Sequence, residues 1–70
     1  MIIYKGHKLP FIPKEMFHAK YYTCIECGVM VYKSVNNNFY ISEFNYNNPV
    51  YKNLHLENYT CGDLLALNIL

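Results

Sequence analysis

Seventy residues make a single domain whose core is too small to leave much net stability once chain entropy is subtracted, so a covalent or metal staple is expected. Six lysines, no arginine and five carboxylates give a formal charge of +1; this is no electrostatic footprint for nucleic acid, and the side chain best suited to bidentate phosphate and guanine contacts is missing. Hydrophobic residues reach 53%, but eight of them are tyrosines, and no apolar run is long enough to cross a bilayer of roughly 30 Å.

The first residues do not have the order of a secretory signal, because their apolar side chains precede the lysines; a cytoplasmic protein is expected. Residues 1–4 are β-prone, and Lys5-Gly6-His7-Lys8 reads as an exposed turn. Pro10 and Pro13 forbid a central strand in residues 9–13, so residues 1–15 are expected to form an edge strand and an extended cover. Residues 16–23 read as extended, which would put His18, Lys20, Tyr22 and Cys24 on one face.

Cys24-Ile25-Glu26-Cys27-Gly28 then bends the chain so that two sulfurs converge, with glycine permitting the left-handed conformation that closes the bend. Two β-rich runs, residues 29–35 and 39–44, flank Asn36-Asn37-Asn38 and predict a hairpin. A second asparagine cluster, residues 45–48, ends that strand, and residues 50–57 read as a further strand with Val50, Leu54 and Leu56 inward. Residues 16–57 would thus form the knuckle and sheet. Thr60-Cys61-Gly62-Asp63 has the spacing of a capping box ahead of an apolar run, so residues 60–70 read as a short helix whose leucines surround most of its axis. The fold class expected is α+β: one domain over residues 1–70, with a small antiparallel sheet of three or four short strands, a knuckle and a C-terminal helix.

In a reducing compartment a cysteine pair two residues apart reads as metal-binding or redox chemistry, and a third cysteine leaves one unpaired in any disulfide scheme. No βαβ pattern surrounds the pair, which disfavours redox. Cys24, Cys27 and Cys61 supply three ligands for one structural Zn²⁺, and Cys61 at a helix start would have its thiolate favoured by the exposed amides. His18, six residues before Cys24, is the expected fourth ligand; His55, six residues before Cys61, is the alternative; His7, in its turn, ranks last. Three thiolates and one imidazole leave no open position, the mark of a structural site.

His18, Cys24, Cys27-Gly28, the hairpin and Thr60-Cys61 in that order resemble the small zinc-ribbon-like proteins of unknown function that are frequent in bacteriophage and other mobile-element genomes, over about residues 17–70. Residues 22–28 also resemble the first zinc knuckle of the smallest RNA-polymerase zinc-ribbon subunits, although those carry a second Cys-x-x-Cys.

Carboxylates Glu15, Glu26, Glu43, Glu57 and Asp63 are scattered, and neither a nucleophile motif nor a phosphate-cradling glycine loop is present, so a non-catalytic role is expected. Tyrosine excess, near-neutral charge and the leucine-rich tail point to a protein-interaction module or inhibitor that occupies a surface of a larger host protein, with homodimerisation as a further option. The alternative is a zinc-ribbon accessory protein for single-stranded nucleic acid, using Lys5, Lys8, Lys14 and Lys20 beside Tyr21 and Tyr22.

Overall fold

The computed structural model describes the backbone of residues 1–69 and the side chains of residues 1–67; the expected helical end at Leu70 lies outside the described residues. The secondary structure is α+β, and the strands divide into two antiparallel sheets. Strands β1 (Ile2–Tyr4) and β2 (His7–Leu9) form a separate hairpin, while β3 (Lys14–Met16), β4 (Ala19–Thr23), β5 (Met30–Lys33) and β6 (Phe39–Ile41) form a four-stranded meander in chain order. The helix α1 spans Cys61–Ile69.

Two tight turns explain why the first 20 residues carry two hairpins where the sequence suggested one strand, a cover and a second strand. Tyr4 pairs with His7 across Lys5 and Gly6, and Met16 pairs with Ala19 across Phe17 and His18. All four turn residues have positive φ, at 49°, 77°, 50° and 61° in chain order. Two central residues at positive φ give a turn whose twist matches that of the flanking strands. At Gly6 the conformation is cheap; at Phe17 it is strained, because a bulky side chain rarely adopts it.

The β5–β6 hairpin forms around the asparagine triplet as expected, with Asn37 at φ 66° and Ser34 and Asn38 closing the loop through Ser34 N–H to Asn38 O at 3.0 Å. The strand expected over residues 50–57 is absent. Instead, short 3₁₀ turns at Glu43–Asn47 and Leu56–Asn58 flank a chain of i→i+3 bonds: Asn48 N–H to Asn45 O, Tyr51 N–H to Asn48 O and Leu54 N–H to Tyr51 O. Asparagine side chains divert the backbone here. The Asn48 Oδ1 accepts from Val50 N–H, and such local bonds compete directly with a strand ladder. Of the residues assigned to the inner face, Leu56 is buried and Val50 is exposed, and Tyr51 is buried in place of Val50.

Asn45 does a strand's work with one side chain. Its amide accepts from Met30 N–H at 2.7 Å and donates to Met30 O and Ser42 O at 2.8 Å, so it completes the hydrogen bonding at the start of β5. The capping box forms as read: Asp63 N–H donates to Thr60 Oγ1 and Thr60 N–H donates to the Asp63 carboxylate.

The core lies between the inner face of the meander, the β1–β2 hairpin and α1. Leu9, Tyr22, Val29, Val31, Ile41, Tyr51, Leu56 and Leu64 are buried there together with two of the three cysteines. The sulfurs of Cys24 and Cys61 are thus part of the core itself.

Candidate metal centre

Three elements bring one donor each, or two, to a common point. The bend after β4 presents Cys24 and Cys27, with Cys24 N–H bonded to Val29 O at 2.9 Å and Gly28 N–H to Cys24 O at 3.1 Å. Gly28 closes it at φ 78°. The Tyr51 hydroxyl donates to Cys27 O at 2.6 Å and holds the bend against the 3₁₀ segment. Cys61 is the first residue of α1, and its N–H donates to Lys5 O at 3.0 Å, which ties the helix start to the β1–β2 turn. A Cβ on Gly6 would sit 3.5 Å from Cys61 N, so the turn and the helix start are in ordinary contact. Ile25 N–H donates to Lys8 O at 3.1 Å, joining the bend to β2.

These links place His7, the first residue of β2, beside the three thiols. The potential ligand atoms of His7, Cys24, Cys27 and Cys61 all lie within 4.8 Å of one another. Cys24 Sγ and Cys61 Sγ are 3.6 Å apart, and Cys27 Sγ is 3.2 Å from His7 Nδ1. An ion at the centre of a tetrahedron, about 2.3 Å from sulfur and about 2.0 Å from nitrogen, sets sulfur–sulfur edges of about 3.8 Å and sulfur–nitrogen edges of about 3.5 Å. Both observed separations lie within a few tenths of an ångström of those edges.

The surroundings agree with a metal rather than with a hydrogen-bonded histidine. His7 is fully buried, its Nδ1 faces a thiol, and its Nε2 has no hydrogen-bond partner. A buried imidazole whose Nδ1 has only a weak sulfur partner is poorly satisfied, and a metal at Nδ1 would replace that weak contact with a bond while leaving Nε2 unpaired. Burial lowers the His7 pKa, with the nearby Lys5 ammonium acting in the same direction, so the ring is neutral and available as a ligand.

The thiols differ among themselves in the metal-free state. Burial pushes Cys27 up to about 12, and burial with the neighbouring Cys24 sulfur also raises Cys61. Cys24 is buried too, but the backbone amides of Cys27, Glu26 and Lys8 outweigh desolvation, and its net shift is downward. The fold thus makes Cys24 the easiest of the three thiols to deprotonate, and a metal must displace protons to bind the set. Lys8 adds a compensating charge: its ammonium pairs with Glu26, and it also feels the Cys61 and Cys24 sulfurs.

The histidine is where structure and expectation part. His18 occupies the β3–β4 turn at φ 61°, so it is not part of the strand that delivers Cys24, and the alternation expected to align the two begins only at Ala19. His55 precedes the 3₁₀ turn at Leu56–Asn58 and is exposed. Neither belongs to the four-residue cluster. The missed signal for His7 was the two-residue spacing of the first hairpin: with the turn confined to Lys5-Gly6, His7 and Leu9 become inward positions of a strand.

Among the described residues no helix is long and apolar enough to cross a membrane. No family model matches the chain, and neither a curated protein nor a solved structure shows significant similarity to it. The metal centre therefore rests on its own geometry.

Proposed function

We propose that this chain is a small zinc-stapled, non-catalytic module that acts by docking on a larger protein, a host protein if the chain is encoded by a phage or mobile element. Zinc is the metal that suits three thiolates and one imidazole in a closed tetrahedron, and such a site is structural because no position is left for substrate. The centre clamps the β1–β2 hairpin, the bend and α1 together, and the work of recognition is assigned to the face of the meander turned away from the metal.

The observation that carries this reading is a continuous ladder of aromatic rings on that outer face. Tyr21, Tyr32 and Tyr40 are in register across β4, β5 and β6. Ring centroids are 5.6 Å apart for Tyr21 and Tyr32 and 5.4 Å for Tyr32 and Tyr40, and Phe44 and Phe17 extend the series at 5.6 Å and 6.0 Å. Tyrosine and phenylalanine in such density supply a large contact area at low entropic cost. A chain needing stabilisation would place these rings in its core, yet Phe17 is 76% exposed.

Affinity capture tests the proposal. The zinc-loaded chain, immobilised and washed at high salt, should retain a partner from the cells it comes from, and the exposed substitutions Tyr40→Ser and Phe44→Ser should abolish retention without changing zinc content. Retention that survives both substitutions would remove the outer face from the interaction. Lys14, opposite Tyr21 in register, gives the ladder one flanking cation and motivates a second reading as a stacking surface for single-stranded nucleic acid. Salt-sensitive binding of an unstructured oligonucleotide would favour that second reading.

A further inference from the structure

The aromatic face is not flat. Phe17, Tyr21, Tyr32, Tyr40, Phe44 and Tyr46 line an open groove of about 700 Å³, within the range of ligand-binding clefts. Its charged lining is one-sided. Glu43 and Glu57 are at its wall, no lysine lines it, and among the described residues the one ion pair is Lys8 with Glu26, which involves neither. Lys5 reaches the Glu57 backbone carbonyl rather than its carboxylate. Lys20 and Lys33, opposite one another in register, alternate with Tyr21 and Tyr32 and so belong to the other face of the sheet. Lys14 stands at the outer end of the ladder, on the edge strand β3. The groove's own lining thus carries two carboxylates and no ammonium.

At the mouth of the groove sits the strained turn. Phe17, with φ 50° and a largely exposed ring, and His18, with φ 61°, both line it. Left-handed backbone at a bulky exposed residue costs stability and gives the core nothing in return. Such strain fits a residue retained to present its ring to an occupant.

We infer that the groove takes a peptide segment of the partner that presents an arginine or lysine, whose cation lies over the Tyr32–Tyr40 ring pair and is neutralised by Glu43 and Glu57. Aromatic faces attract a cation through the ring quadrupole, and two carboxylates at the same wall make the site complementary to positive charge and repellent to phosphate. This inference rests on the reading of the chain as a protein-docking module and adds the chemistry of what is docked.

The test is a titration of the ¹⁵N-labelled, zinc-loaded chain, followed by NMR, with four probes: a blocked Gly-Pro-Arg-Gly peptide, its citrulline counterpart of equal shape without the charge, a Gly-Pro-Glu-Gly peptide, and decathymidylate. The expected result is a set of shifts confined to the amides of Phe17, Tyr21, Tyr32 and Phe44 and their neighbours, with the citrulline peptide bound about fivefold more weakly or worse. The double substitution Glu43→Gln with Glu57→Gln should erase that preference and leave the melting temperature unchanged. Equal binding of the arginine and citrulline peptides would overturn the cation inference while leaving a peptide-docking face. Binding of decathymidylate with no response to any peptide would overturn both. Dilution-dependent shifts of the same amides without a probe would assign the groove to a second copy of the chain and overturn the inference.

Discussion

Replacing His7 by alanine is the most direct probe of the centre, because the sequence ranked His7 last among three histidines and the structure places it beside all three thiols. The side chain is fully buried and supplies one donor of four. Structural zinc sites contribute about 10–16 kcal/mol at neutral pH, so an equal share for one ligand is about 3–4 kcal/mol, or about 10²–10³-fold in affinity. Because a metal that binds only the folded chain stabilises it by linkage, the same change should lower the melting temperature at fixed free zinc by about 10–30 °C. Zinc affinity is read by competition with a chromophoric chelator under reducing conditions at pH 7.4, and stoichiometry by native mass spectrometry. His7→Cys restores a fourth donor and should recover most of the loss, whereas His18→Ala and His55→Ala should change affinity less than about twofold, both being outside the cluster. If His7→Ala bound zinc as tightly as the parent chain, or if His18→Ala lost as much, the four-residue centre would be refuted.

Asn45→Ala removes the acceptor of Met30 N–H and should cost about 2 kcal/mol, seen as a lower urea midpoint with unchanged slope. His18→Gly relieves a left-handed residue at an exposed turn and should raise stability by about 1 kcal/mol with zinc affinity unchanged; a fall in affinity would show that the turn reaches the metal. In the metal-free chain partial burial pushes the Cys27 thiol up to about 12, above the unfolded value of about 8.5, so the stability it contributes is full below the unfolded value and is lost as pH rises through that interval. Urea midpoints of the metal-free chain should therefore fall more steeply above pH 9 than those of its Cys27→Ala variant, a difference that zinc should abolish. Towards acid the sign reverses for the loaded protein: protons compete for the thiolates, and chelator competition should show affinity falling with each unit of pH.

The elements that were legible in the sequence are those whose signals are local. The bend at Cys24–Gly28, the hairpin around Asn36–Asn38 and the capping box at Thr60–Asp63 each depend on residues within a few positions of one another, and each forms. The region after Phe44 was misread because its alternation of apolar side chains suits a strand, while asparagine side chains at 45 and 48 satisfy the backbone without one.

Composition and spacing alone pointed to a staple for so small a core, to three cysteines converging in a non-disulfide role, and to more tyrosine than the interior can hold. Which histidine joins the cysteines was a tertiary matter. His7 lies 17 residues from Cys24 and 54 from Cys61, and only the docking of the β1–β2 turn on the helix start, through Cys61 N–H to Lys5 O, brings it to them. His18, six residues from Cys24, sits at the opposite end of β4 from it, in a turn whose handedness no spacing rule reveals. Tertiary structure also sorted the tyrosines, because strand register sends Tyr22 inward while Tyr21, Tyr32 and Tyr40 form the outer ladder. Adjacent residues of a strand face opposite ways, so a one-residue difference in register would have exchanged core and ladder.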